Sequence, residues 1–247
     1  TSESGMNAVR DRIKEGPLPP AKTPGKVYPI DVWDEWKEKI LSLVDTKTFK
    51  PLSVVIDGGN GMAGTIVTKL FSGLPFSVTP LYFEPDGNFP NHTPDPLIPE
   101  NNAVLSKTIL EKKADVGLTF DGDADRMFLV DNTGRIIPGT ITTALLARYF
   151  LKKYPKEIIL YNAICGRVVP KIITQYGGTP KRVRVGHSYI KTYMRETNAI
   201  FAGEHSGHYY YRDFYRAESG VLTALLILSL LSAQDKPLSS LVDELDI

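Results

Sequence analysis

The chain has 247 residues, 42% hydrophobic and 23% charged, with a formal net charge of +1. That composition is enough for a sizeable core and excludes disorder as the main state, and the near-neutral charge gives no electrostatic case for nucleic acid or an anionic membrane as partner. The one cysteine, Cys165, has no internal disulfide partner and suits a reducing compartment, so the expectation is a cytoplasmic protein acting on a small molecule.

Met6, Val9 and Ile13 fall near helical spacing, and "GPLPPAKTPGK" (16–26) then rules out a continuing helix. Residues 1–26 read as a short helix, marginal alone, and a linker: the tail of an upstream domain in a longer protein. No charged-then-apolar signal peptide pattern is present. From Val27 the expected order is helix ("VWDEWKEKILSLV"), strand ("SVVID"), glycine turn and helix ("GMAGTIVTKLF"), strand ("VTPLYF"), helix ("NNAVLSKTILEKK") and strands "VGLTF" and "MFLVD". From Gly139 it restarts: helix ("TITTALLARYFLKKY"), strand ("EIILY"), helix ("RVVPKIITQYG"), strand ("RVRV"), helix ("SYIKTYMRET"), strands "AIFAG" and "HYYYR", and a last long helix. That last run, "VLTALLILSLLSA", is shorter than the roughly 20 residues a membrane span needs and reads as a buried helix. Alternating strands and helices predict an α/β fold of two similar three-layer α/β/α domains with mostly parallel mixed sheets. The domains are expected at 27–136 and 137–247, with a polar cluster between the final two strands of each.

In the first cluster Asp121, Asp123 and Asp125 alternate in a turn made tight by Gly122 and Ala124. Three converging carboxylates suit Mg²⁺, a hard cation with oxygen ligands, and Arg126 offsets the surplus charge and is shaped to grip a phosphate. A solvated acidic turn is the plain alternative, disfavoured because like charges this close repel. An EF-hand needs glycine where Arg126 stands and glutamate where Asn132 stands. The second cluster sets Glu204, Ser206 and His208 at alternate positions beside Gly203 and Gly207. If extended, these side chains point one way, and carboxylate with hydroxyl suits a sugar diol; an ordinary polar hairpin turn is the alternative. His187 ends a strand, with Ser188 expected as a helix N-cap where phosphate is favoured. Arg167, Lys191 and Arg212 are further candidate phosphate grips. Because the clusters lie in different domains, metal and sugar binding are expected to be independent.

Gly59, Gly61 and Gly64 complete a G-x-G-x-x-G between a strand and a helix, with Glu84 at the end of the next strand, the pattern of a dinucleotide site. Asp57 before the glycines would face a pyrophosphate, so a structural turn is the better reading. His92, in "FPNHTPDPLIPEN", reads as a structural hydrogen-bonding residue.

"TFDGDADR", "GHSYIK" and "GEHSGH", with "VVIDGGNG" and "FPNHTPDP", resemble the α-D-phosphohexomutases, most closely the phosphomannomutase/phosphoglucomutase branch. The resemblance implies a four-domain isomerase of which this chain is the end of domain 1 plus domains 2 and 3. It implies that Asp121, Asp123 and Asp125 bind Mg²⁺ and that Arg126 and His187 serve catalysis, Arg126 at a phosphoserine. Glu204 and Ser206 would hold sugar hydroxyls with His208 alongside, and Arg212 falls where members carry a basic residue. Implied partners are a hexose phosphate, its 1,6-bisphosphate, and the first and fourth domains. The family's T-A-S-H-N-P loop and its C-terminal phosphate loop occur nowhere in these residues, and "AICGR" stands where some members carry a lysine. The parent is thus expected to interconvert hexose 1- and 6-phosphates of mannose or glucose through a phosphoserine, this piece being inactive alone. An aspartyl-nucleophile phosphatase or mutase and a non-catalytic sugar-phosphate module are the alternatives.

Overall fold

The computed structural model describes residues 5–245 and divides into two units, Thr1–Trp36 and Lys37–Ile247, with residues 1–4 and 246–247 of the expected segments outside the described part. In the first unit, α1 (Met6–Lys14) buries none of its residues and exposes Met6, Val9 and Ile13. The proline-rich stretch follows, and α2 (Trp33–Ser42) begins, with the rings of Trp33 and Trp36 5.2 Å apart.

The second unit opens its first sheet with β1 (Leu52–Asp57), α3 (Ala63–Leu70), β2 (Phe76–Leu81), α4 (Ala103–Lys112), β3 (Val116–Phe120), β4 (Met127–Asp131) and β5 (Ile136–Ile137). The strand order is β2-β1-β3-β4-β5, parallel through β3 and antiparallel beyond it. Every residue of β3 and β4 is buried, as expected where helices cover both sheet faces. After α5 (Gly139–Lys153), β6 (Ile158–Asn162), α6 (Val168–Gln175), β7 (Thr179–Val183), α7 (His187–Thr197), β8 (Phe201–Gly203), β9 (Tyr209–Tyr211) and β10 (Ala217–Glu218), the second sheet has the order β7-β6-β8-β9-β10. Its pairings are again two parallel then two antiparallel, so the sheets share one topology.

Three local expectations change. The polar clusters sit between β3 and β4 and between β8 and β9, but the two-residue strands β5 and β10 follow, so these are not the final strand pairs. β7 runs from Thr179 to Val183 because it pairs in parallel with Ile158–Asn162, placing Pro180 in an edge strand, where a missing N–H is tolerated; Pro80 in edge strand β2 is its counterpart. The last long helix ends at Ser232 as α8 (Gly220–Ser232), and a separate α9 (Leu238–Asp243) follows. α8 starts where the Ser219 hydroxyl accepts the Leu222 N–H at 3.1 Å. It is apolar all round and buried along its whole length, packing against β4 of the first sheet. No helix among the described residues is long and apolar enough to cross a membrane.

Candidate active site

The turn after β3 folds its backbone around Asp121. One oxygen of this buried carboxylate accepts the Arg126 backbone N–H at 3.1 Å and the other accepts Arg126 Nε at 2.7 Å. Ala124 takes a left-handed φ of 63°, which brings Asp125 back beside Asp121, and one oxygen from each of Asp121, Asp123 and Asp125 lies within 4.8 Å of the others. Around magnesium such oxygens are about 3 to 4 Å apart, so a small closure completes the set; three carboxylates, one buried, fit a hard divalent cation. Burial, then the charges of Asp121, Asp123 and Glu218, push Asp125 up to about 6, against the opposing charge of His208. Arg126 Nη1 also reaches Asp95 at 3.5 Å.

The second cluster is a tight turn, not an extended segment: the Gly207 N–H donates to Glu204 O at 3.2 Å. Its three side chains converge through that turn instead. Ser206 Oγ lies 3.0 Å from His208 Nδ1, which lies 3.5 Å from Glu204 Oε2. Glu204 is buried and accepts from the Tyr210 hydroxyl at 2.8 Å, Asn162 Nδ2 at 3.2 Å and the Gly186 N–H at 3.4 Å. Both contacts on Oε1 are longer than the Tyr210 contact on Oε2.

The two clusters, in different domains by sequence, touch each other. The Met127 N–H donates to Gly207 O at 3.1 Å, Arg126 and His208 form an antiparallel bridge, and His208 Nε2 stands 3.5 Å from Asp125 Oδ1. Gly207 has φ +88°, and a Cβ there would enter the ring of Phe128 on β4; a Cβ on Gly220 would stand 2.7 Å from Ala124 O. Only glycine lets the loops approach this closely.

The other candidates separate. His187 is the exposed first residue of α7, capped by Gly186 and not by Ser188, which lies inside the first turn with no capping bond, so the expected N-cap is corrected. Lys191, one turn on, holds Glu218 at 2.7 Å, and Lys191, with His187, keeps the Glu218 carboxyl below its usual range despite burial. Arg167 precedes α6 and lines a cavity of about 720 Å³ together with Ile164, Thr140 and His205. Arg212 is not brought in. It lies past the far end of β9, roughly 13 Å of strand from His208, with its guanidinium 3.1 Å from both oxygens of Glu157. Glu218, Asn162, Tyr210 and Asp95 join the site without having been singled out. Glu218 has no sequence signal, since it depends on the two-residue strand β10; Asp95 lies in "FPNHTPDP", so the family resemblance was the signal that could have found it.

The family description "Phosphoglucomutase/phosphomannomutase, alpha/beta/alpha domain II" matches residues 34–134, and "alpha/beta/alpha domain III" matches residues 138–246. The chain belongs to the phosphoglucomutase/phosphomannomutase family. It is 38% identical over 243 residues to "Phosphohexose mutases" of Xanthomonas campestris pv. campestris, covering 98% of this chain and 54% of that protein. It is 39% identical over 232 residues to "Phosphomannomutase/phosphoglucomutase" of Pseudomonas aeruginosa, covering 94% and 49%. A crystal structure of a family protein from Burkholderia thailandensis superposes with a TM-score of 0.89 at 33% identity, covering 98% of this chain and 52% of that one. The chain thus spans about half the length of the relatives it matches.

The geometry favours a structural turn over the dinucleotide reading. A Cβ on Gly61 would lie 2.5 Å from Gly122 O, a Cβ on Gly64 would strike the Phe83 backbone, and the Met62 N–H already donates to Gly122 O at 3.0 Å. The glycines seat the carboxylate turn, and the amide a pyrophosphate would need is spent. NAD and NADP are expected to give no saturable rise in melting temperature. A ligand at 100 times its Kd would stabilise by about 2.7 kcal/mol, so thermal scanning resolves the question and a saturable shift would restore the dinucleotide site.

Proposed function

We propose that the parent protein is a reversible phosphosugar mutase interconverting hexose 1- and 6-phosphates of mannose or glucose through a phosphoserine and a bisphosphorylated intermediate. In this reading residues 27–136 are the domain that holds the metal loop and residues 137–247 the one that holds the sugar loop. The observation that carries it is the backbone bridge between the two loops, which faces a cation-ready carboxylate set toward a carboxylate, a hydroxyl and an imidazole. Magnesium held by Asp121, Asp123 and Asp125 would supply positive charge to phosphoryl oxygens. Arg126, anchored by Asp121, presents its remaining N–H groups to the same phosphoryl group, and phosphoryl transfer asks for little beyond such positioning and neutralisation. Ser206 and Glu204 hold sugar hydroxyls, with His208 alongside to exchange a proton with the attacking or departing oxygen. His187 and Lys191, which flank Glu218, and Arg167, which lines the cavity beside His205, are the cations assigned to the phosphate that is not reacting.

The bridge makes the test one of coupling. Titration of the chain with glucose 1-phosphate or mannose 1-phosphate by calorimetry is expected to show affinity rising with Mg²⁺, by a factor in the usual range of about 5 to 150, and Mg²⁺ affinity rising by the same factor with sugar phosphate. Glu204→Gln should weaken the sugar phosphate and reduce that factor. Alanine is the poorer choice, since it leaves the Tyr210 hydroxyl and the Asn162 amide unpaired at about 1 to 3 kcal/mol each. Sugar-phosphate binding unchanged in Glu204→Gln would remove the diol role, and absence of any coupling would remove the shared site.

A further inference from the structure

The carboxylate turn rests on two supports. One is the glycine turn after β1, where Gly61 and the Met62 N–H meet Gly122 O. The other is the proline-rich loop: Pro94 packs where a Cβ on Gly122 would lie 3.4 Å away, and Asp95 reaches Arg126 at 3.5 Å. Two pairs of side chains join these supports: Asn91 donates to Asn60 Oδ1 at 2.7 Å, and Asp57 meets His92. Asp57, fully buried at the end of β1, accepts the Gly59 N–H at 2.8 Å on the first support, and His92 Nε2 on the second lies 3.3 and 3.2 Å from its two oxygens. The His92 ring meets Tyr82 edge-on at 5.3 Å.

The proton count of this pair follows from its neighbours. His92 Nδ1 lies 2.8 Å from Thr93 O, a carbonyl with nothing to donate, so Nδ1 carries a proton. Nε2 faces only a carboxylate, so a second proton lies between Nε2 and Asp57. Whichever atom holds it, the pair is neutral overall, and the buried Asp57 adds no net charge beneath three carboxylates that already repel. Burial raises the Asp57 carboxyl above its ordinary range while the His92 charge works against that rise, in keeping with a shared proton.

We propose that Asp57 and His92 form a neutral, proton-sharing clamp that locks the proline-rich loop to the glycine turn, making both of them positioning residues for the divalent-cation site. The inference rests on the metal reading of Asp121, Asp123 and Asp125. Neither side chain touches the ion. They act through Gly122 and Arg126, by fixing the two surfaces on which the turn sits.

The test titrates the whole chain with Mg²⁺ alone. His92→Phe, which keeps a ring against Tyr82 but has no N–H, and Asp57→Asn are each expected to weaken Mg²⁺ on the order of 10-fold, as residues behind metal ligands commonly do. The double variant should be no weaker than either single one, because the clamp is lost once. His92→Gln, which keeps an N–H toward Asp57, should recover part of the affinity. In the unaltered chain, ¹⁵N spectra of the His92 ring should show Nδ1 protonated and should move during the Mg²⁺ titration with the midpoint of cation binding. Folded His92→Phe with unaltered Mg²⁺ affinity, or ring signals indifferent to Mg²⁺, would overturn the clamp. Asp123→Asn is the control that separates the two readings: if it binds Mg²⁺ as tightly as the unaltered chain, the cation site itself is wrong.

Discussion

Residues 1–247 alone, prepared free of host enzyme, are expected to bind Mg²⁺ and hexose phosphate but to show no detectable interconversion of hexose 1- and 6-phosphates in a coupled assay. The carboxylate turn and the Glu204–His208 turn are present and bridged, while these residues hold no T-A-S-H-N-P segment, which the proposed mechanism needs for its phosphoserine, and no phosphate loop of the kind it places at the C-terminus. Without the covalent nucleophile the two-step route is lost. Without the groups that hold the far phosphate, the advantage of a pre-oriented reactant, worth up to about 7 to 11 kcal/mol, is largely lost too. Each loss removes several powers of ten in rate. Joining the chain in cis to the corresponding flanking domains of the Pseudomonas aeruginosa relative should restore turnover, and Asp123→Asn in that chimera should abolish it again. Robust turnover by residues 1–247 would place the nucleophile inside them, and trapping a phosphoaspartate at Asp121 or Asp123 would then favour the aspartyl mechanism.

The second large effect concerns the carboxylate turn without its ion. Asp123→Asn should weaken Mg²⁺ on the order of 100-fold or more, since it removes a ligand and a charge together, whereas Asp86→Asn, outside the turn, should leave binding unchanged. Asp125→Asn should also lose Mg²⁺ affinity, yet make the metal-free protein more stable. Its carboxyl titrates at about 6 in the folded chain against an ordinary 3.8, so the folded state binds the proton more tightly than the unfolded state. Asp125's contribution to the stability of the metal-free chain therefore rises as pH falls through about 6, and its penalty is fully present above that. In thermal melts without metal, Asp125→Asn should exceed the unaltered chain at pH 7.5, with the gap closing as pH approaches 4. Saturating Mg²⁺ should reverse the order at pH 7.5, and Mg²⁺ affinity of the unaltered chain should fall below pH 6. A metal-free melting point of Asp125→Asn below that of the unaltered chain at pH 7.5 would contradict the crowding of charge at this turn.

The α/β class and the duplicated architecture were legible because each long element carries its own period: "SVVID" and "VGLTF" are apolar runs bounded by glycine or charge, and the helices between them are amphipathic or mostly apolar. The carboxylate turn was legible because its three aspartates alternate within five residues, and its backbone does bring them together. What the sequence could not reveal was mostly non-local. β5 and β10 have two residues each, too few for any pattern, and Glu218 enters the site only through β10. Arg212 looked like a phosphate grip because it follows a polar cluster closely in sequence, but a strand carries it to the opposite sheet end, where Glu157 holds it. Ser188 looked like a cap because serine commonly caps; the cap is instead Gly186, two residues earlier, and the helix starts at His187. Independence of the loops was a reasonable inference from linear separation; the Arg126–His208 bridge puts them in contact.

The seat of α8 ties the two halves of this unit into a single cooperative block. The helix belongs by sequence to the second sheet, yet it leans on β4 of the first, and Ser232 near its end accepts the Lys50 N–H at 3.0 Å. Asn132 beyond β4 accepts the Ser239 N–H at 3.1 Å, and Arg135 reaches Asp243 at 2.9 Å. Opening either half alone would bare a fully buried, mostly apolar helix to water, so the amide protons of α8 have no cheap local route to exchange and leave only when both sheets come apart. A polypeptide cut between Ile136 and Ile137 would give two pieces with sticky, unmatched faces, and on the ribosome the first sheet must wait for residues about 100 positions downstream before its β4 face is covered.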